Sequence, residues 1–262
     1  MQVQSLFLFL FIIFASCNSN TSKSAVETLQ PVNKNIPELL LKSIEAHGGV
    51  AQWQKAQTWE YTIQRNEKPE HHLIDLQTRK VLLTHEDYRL GFDGKEVWVS
   101  PNKAAFDKGS PRFYHNLVWY FHAFPFIMAD PGINYEILPQ KELDGKLYDA
   151  IKITFNDGVG DAPDDYYIAH FDPDTHLMYL LLYTVTYFNQ APSTKYNALV
   201  YDEWENVNGL LVPSKMIGYQ YEDDQLGEKR YERPFTDIKI ANTPPDASIF
   251  EMPAEAEIDP LK

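Results

Sequence analysis

The chain has 262 residues and a formal net charge of −14, with 44% hydrophobic and 14% aromatic residues. That is ample for one large β-rich domain, and it excludes a nucleic-acid binder, since phosphate contacts need clustered Lys and Arg. The single cysteine, Cys17, excludes an intramolecular disulfide and a cysteine-based zinc site.

Residues 5–16, SLFLFLFIIFAS, form an apolar run ending in small residues directly before Cys17. The unbroken stretch Leu6–Phe14 is too short to span a bilayer comfortably and suits the core of a signal peptide over residues 1–16. Phe14-Ala15-Ser16-Cys17 resembles a bacterial lipobox, which implies lipid attachment at Cys17. It departs from that pattern in two ways: no Lys or Arg precedes the run, and Phe14 stands where Leu is usual. The alternative is an uncleaved anchor, and both readings leave the protein on a membrane, facing outward. Residues 17–35, rich in Ser, Thr and Asn, read as a flexible tether, and residues 36–262 as a single domain.

Asn35 is placed to cap a first helix, with Pro37 and Glu38 in its opening turn and Leu40, Leu41 and Ile44 on its inner stripe. His47-Gly48-Gly49 ends it. Trp53 and Trp59 are expected to clamp this helix to a sheet. The period then changes from 3.6 to 2. Trp59, Tyr61 and Ile63 alternate with polar residues as a half-buried strand. His71–Leu76 and Lys80–Thr84 read as strands. Tyr88–Phe92 and Glu96–Ser100 flank Asp93-Gly94, a strong hairpin signal. Asn134–Leu138 and Leu147–Phe155 come next, the second with Leu147, Ile151, Ile153 and Phe155 on one face. Tyr166–Phe171 and Leu177–Phe188 flank the turn Asp172-Pro173-Asp174-Thr175, and Tyr196–Glu205 and Leu210–Tyr221 flank Asn208-Gly209. A last long strand, Glu228–Ile240, precedes a Pro-rich tail. Tight turns between about a dozen strands predict a meandering antiparallel sheet.

One segment interrupts the strands. Arg112–Ile133, RFYHNLVWYFHAFPFIMADPGI, is the most aromatic stretch of the chain after residue 17. Read as a helix, it puts Phe113, Leu117, Tyr120, Phe121 and Phe124 on one face and Tyr114, Val118 and Trp119 on the other. A helix apolar all round is buried, and Pro125 should kink or end this one. It is therefore expected as an aromatic plug inside the sheet, either filling it as core or bordering a cavity.

Signatures of catalysis are sparse. G-x-S-x-G, H-E-x-x-H and G-x-x-x-x-G-K-[ST] are absent, and Gly158-Val159-Gly160 lacks the pattern of a dinucleotide site. His47, His115 and His122 form a possible polar site. His115 and His122 lie two helical turns apart, about 10 Å by rise, too far to share a metal without a kink. Buried histidines bonded to backbone or Tyr are the plainer reading. Asn156–Asp165 gathers Asp157, Asp161, Asp164 and Asp165 around two glycines, as calcium prefers, yet the spacing misses the EF-hand loop and a solvated acidic tip is the ordinary reading. His71-His72 and Glu222-Asp223-Asp224 read as exposed turn ends. No catalytic residue, metal site or cofactor is assigned.

Several blocks carry a resemblance. Leu41-Lys42-Ser43-Ile44-Glu45-Ala46-His47-Gly48-Gly49 with Trp53, Gly91-Phe92-Asp93-Gly94 with Trp98, and Phe113-Tyr114-His115-Asn116 through Ala129-Asp130-Pro131-Gly132 resemble a group of Bacteroidota lipoproteins. The wider pattern, with Asp172-Pro173-Asp174-Thr175, Asn208-Gly209-Leu210, Pro213 and Pro244…Phe250…Pro253, resembles the LolA/LolB-like lipoprotein-carrier superfamily. The resemblance implies a mainly β (α+β) fold: an open antiparallel half-barrel of about 11–12 strands, helices covering its concave face, and an apolar cavity that holds acyl chains. No activity carries over residue by residue. The expected function is a cell-envelope lipoprotein that binds or carries a lipid or other hydrophobic ligand, lined by Phe113, Leu117, Trp119, Tyr120, Phe121, Phe124 and Phe126. Its partners would be a hydrophobic small molecule or acyl chain and, through the N-terminal lipid, a membrane (the outer membrane, on its periplasmic or surface side); the chain would act as a monomer. The alternatives are a hydrolase-like envelope enzyme using His47, His115 or His122, glycan binding through exposed Trp and Tyr, and a structural or interaction lipoprotein with a filled core.

Overall fold

Period-2 alternation governs most of the chain after Ala56, and the computed structural model resolves it into fourteen strands in two open antiparallel sheets of seven. It describes residues 32–107, 109–162, 164–188 and 193–261. The expected signal segment, Cys17 and most of the expected tether lie outside these residues. Within that stretch, Asn33 is bonded to Ala129 O through its backbone (2.7 Å) and to Ile133 O through its side chain (2.8 Å).

The first sheet begins with β1 (Thr58–Arg65), β2 (Lys68–Asp75), β3 (Val81–Thr84), β4 (Arg89–Phe92) and β5 (Val97–Ser100). The second comprises β6 (Ile133–Leu143), β7 (Lys146–Phe155), β8 (Tyr167–Phe171), β9 (Met178–Tyr183), β10 (Asn197–Val207), β11 (Leu210–Glu222) and β12 (Gln225–Pro234). The tail then returns β13 (Thr236–Ala241) and β14 (Glu257–Asp259) to the two edges of the first sheet, beside β1 and β5. The hairpins follow their turn residues. Asn208 and Gly209 both take positive φ, the geometry whose twist matches paired strands. The Asp93 side chain accepts the N–H groups of Lys95 and Glu96, both at 2.8 Å.

The single strand expected over Glu228–Ile240 divides at Pro234-Phe235. Pro234 has no N–H to continue a ladder, and Phe235 turns into the core, so β12 pairs with β11 while β13 crosses to β1. With the tail strand β14, this brings the count to fourteen. The first helix, α1 (Glu38–Ala46), is preceded by Pro37 in extended conformation and has no side-chain cap; Asn35 instead takes a bond from its own N–H to Asn33 Oδ1. Leu147 is exposed rather than inward, because it sits beside the Asp144-Gly145 turn with Glu142 as its cross-strand neighbour.

The helices build the interior. His47 closes α1, and α2 (Val50–Lys55) follows at once. Gly48 lets α1 press onto the Asn208-Gly209 hairpin: a Cβ there would stand 2.2 Å from the Gly209 carbonyl oxygen. Trp53 stacks on Phe126 at 5.1 Å and meets Trp59 edge-on at 5.9 Å, which fixes α2 to β1 and to the aromatic segment. No helix among the described residues is long and apolar enough to cross a membrane.

Candidate functional site

The aromatic segment becomes α3 (Pro111–His122), a break at Ala123–Pro125, and a 3-10 turn at Phe126–Ala129. Ser110 caps α3 by accepting the Phe113 N–H, and Pro111 opens its first turn, where a missing N–H costs nothing. The helix lies between the sheets, against β3, β4 and β5 on one side and reached by β10 and β11 on the other. Tyr201 on β10 donates its hydroxyl to Phe121 O at 2.8 Å.

Beside α3 is a half-open cavity of about 580 Å³. This falls within the ~300–1,000 Å³ of small-molecule sites. Phe113, Leu117, Tyr120 and Phe121 of α3 form one wall, and Phe155, Tyr167 and Tyr183 of the second sheet form the other. Two ion pairs border it. Arg79, in the β2–β3 turn, grips both oxygens of Asp130 at 2.9 and 2.8 Å. Arg112 holds Asp161 at 2.7 and 3.1 Å. Burial raises the Asp130 carboxyl and Arg79 only partly offsets it. The loop after β7 closes one end by close approach: Val159 packs where a Cβ on Gly132 would stand 2.7 Å from its methyl.

The expected lining residues separate into two groups. Phe113, Leu117, Tyr120 and Phe121 border the cavity. Trp119, Phe124 and Phe126 are buried elsewhere: Trp119 beneath the Arg79 guanidinium at 5.5 Å, Phe124 edge-on to Tyr120, and Phe126 on Trp53. The histidines also separate. His115 alone lines the cavity, its Nδ1 held by Arg112 O. His47 Nδ1 meets Ser43 O at 2.7 Å, and His122 Nε2 meets Pro213 O at 2.8 Å while its ring stacks on Phe235 at 4.0 Å. Burial depresses all three rings, to about 4 for His47 and His115 and about 3 for His122, so they are neutral near pH 7. In the acidic loop, Asp161 is taken by Arg112 and Asp165 by the Thr186 N–H. Among the described residues no three His, Cys, Asp or Glu side chains gather as a metal ion requires.

The residues that sequence reasoning missed lie across α3 from the cavity. His72, expected as an exposed turn end, is fully buried inside β2, while its neighbour His71 points outward as strand alternation requires. His72 Nε2 donates to Glu70 at 2.8 Å, and Nδ1 accepts from the Tyr61 hydroxyl at 3.1 Å. Glu70 also accepts the hydroxyls of Tyr88 and of Tyr114 from α3, the latter at 2.8 Å. Arg65 approaches Glu70 at 3.5 Å, bonds Asp107 at 3.1 Å, and lies over the rings of Phe106 and Tyr114 at 4.5 Å. Burial works to raise the Glu70 carboxyl, yet the donors His72, Tyr88 and Tyr114 outweigh it and hold the carboxyl low.

Fold and site define a class: an open two-sheet β protein whose central aromatic helix borders an apolar-floored cavity. The chain belongs to the family of unknown function DUF6503, which it matches over residues 80–227. That stretch holds α3 and every cavity-lining residue named above except Arg79, and excludes β1 and β2. Among solved structures, the chain is similar to a LolA superfamily protein from Nitrosomonas europaea, at 11% identity and TM-score 0.48, covering 81% of this chain and 96% of that one. A DUF1329 family protein from Desulfovibrio piger matches at 11% identity and TM-score 0.48, covering 81% and 98%. The lipoprotein LppX from Mycobacterium tuberculosis matches at 12% identity and TM-score 0.24, covering 55% and 86%. No curated protein matches the chain. At these scores, what the cavity takes has to be read from its own residues.

Proposed function

We propose that the protein binds or carries a hydrophobic ligand, a small molecule or an acyl chain, in the cavity between α3 and the second sheet. The observation that carries this reading is the void itself: Phe113, Leu117, Tyr120 and Phe121 border about 580 Å³ of open space between α3 and the second sheet. Water bordering such a wall is readily displaced. A ligand hiding about 200 Å² of apolar surface gains roughly 5 kcal/mol before the costs of ordering it. The lipobox-like Phe14-Ala15-Ser16-Cys17 supports a cell-envelope lipoprotein tethered by a lipid on Cys17.

Native mass spectrometry of the protein purified without detergent tests the binding. The expected result is a stoichiometric lipid-sized mass adduct, lost on organic extraction. An apo mass that persists after incubation with fatty acids and phospholipids would sink the reading. The tether is tested separately: Cys17→Ser should release the protein from membranes, and unchanged membrane retention would refute lipidation.

A further inference from the structure

The cavity wall carries more negative than positive charge. Arg79 and Arg112 stand against Asp130, Asp161 and Asp165, and His115 is neutral, so two positive and three negative groups leave one carboxylate in excess. That excess can be located. Asp130 and Asp161 are each gripped through both oxygens by their arginines. Asp165 has neutral partners: the Thr186 N–H at 2.6 Å and the hydroxyls of Thr184 and Thr186. Among the described residues no basic side chain pairs with it, although it is only 8% exposed.

A carboxylate buried without a counter-charge is costly, and its proton affinity reports that cost: burial pushes the Asp165 carboxyl above its ordinary value. A cation delivered into the cavity would relieve it. The surroundings also suit a cation, because Phe113, Phe121, Tyr167, Tyr183 and Tyr187 line the same space and aromatic faces attract positive charge. An anionic head meets the reverse situation. It would enter a net-negative site and have to break an Arg–Asp pair to find a counter-charge.

We propose that the cavity selects ligands carrying a protonated amine, with the ammonium seated on Asp165 and the apolar part along Phe113, Leu117 and Phe121. This rests on the hydrophobic-ligand reading above and adds the chemistry of the head group.

Titration calorimetry of the full chain near pH 7 with three chain-matched probes, decylamine, 1-decanol and decanoate, tests it. Decylamine should bind roughly tenfold or more tighter than decanol, the gain of a charge-assisted bond, and decanoate more weakly than either. Asp165→Asn keeps an acceptor for the Thr186 N–H; it should bring decylamine to about the affinity of decanol, with decanol itself affected far less. Decanoate binding as tightly as decylamine overturns the proposal, as does an amine preference that survives Asp165→Asn. If decanol binds and the amine gains nothing, the head-group inference falls alone. If none of the three binds, the hydrophobic-ligand reading falls with it. The probe comparison is made on the unaltered protein, so it decides the matter even where the variant fails to fold.

Discussion

The two sides of α3 bury polar groups under opposite terms. Toward the first sheet, Tyr114 reaches Glu70, and that carboxylate collects three hydroxyl or imidazole donors with an arginine alongside. Toward the second sheet, Tyr120 and Phe121 border open space, and Asp165 has no counter-charge among the described residues. Charge in a protein interior is tolerated when its partners are built in, and then it fixes shape. Where the partner is missing and a void adjoins, the same burial leaves room for something to bind. One helix therefore has a holding side and a receiving side, and variants on each should fail differently.

The largest expected effect is on the holding side. Glu70→Ala leaves three buried hydrogen-bond donors without their acceptor and takes from Arg65 one of its two carboxylates, and denaturant unfolding should show a loss of about 3–5 kcal/mol. Acid attacks the same interior more gradually. His47, His115, His122 and His170 titrate at about 4, 4, 3 and 4 in the folded protein, burial being the main cause, against 6.5 in the unfolded chain. Below 6.5 the unfolded chain therefore binds more protons, so stability should fall as pH drops from about 6.5 toward 4, by on the order of 1 kcal/mol per pH unit for each ring at most. The Glu70 carboxyl is also held low, by its donors rather than by burial, so its contribution has the same sign: it is present above the ordinary carboxylate value of 4.5 and is lost as the pH falls from there toward about 2. A denaturant midpoint that stays flat between pH 7 and 4.5 would contradict the neutral buried rings. Tyr114→Phe removes one of Glu70's donors and should cost about 1–2 kcal/mol, with ligand binding unchanged. Leu117→Trp acts on the receiving side. It should change stability by less than ~1 kcal/mol yet narrow the cavity along its apolar wall and reduce the bound mass in native spectra. Were Leu117→Trp to unfold the protein and Tyr114→Phe to empty it of ligand, the contrast between the two sides would be lost.

The sequence shows the holding side poorly and the receiving side only in outline. Hairpins at Asp93-Gly94 and Asn208-Gly209 were legible because turn geometry is local chemistry. The buried α3 was legible because no face of it is polar. Glu70 and His72 were not, since polar residues alternating along β2 look like the wet side of a half-buried strand. Only a second layer, Tyr114 arriving from α3, puts that side in the interior. The signal in the sequence is Arg65, Glu70 and His72 on two adjacent strands beside an all-apolar helix that must cover something. Likewise, the helical period puts Phe113, Leu117, Tyr120, Phe121 and Phe124 on one face but cannot say that the first four border a void while Phe124 does not. The division of the last strand had its cue in Pro234, which cannot donate an N–H to a ladder. Asp165 was hidden among its acidic neighbours, from which only Arg112 separates it by claiming Asp161.

The return of β13 to β1 has a consequence for how the protein comes into being. Thr58 faces Ala241 across that pair, so the first strand to be synthesised waits for almost the last before its outer edge is covered. A chain emerging from a ribosome or a translocation pore would carry β1 as a bare edge of unpaired N–H and C=O groups through most of its synthesis. Such long-range closure is slow, and the interval is when strand edges aggregate. The newborn chain thus has reason to travel with a holding chaperone until its tail arrives.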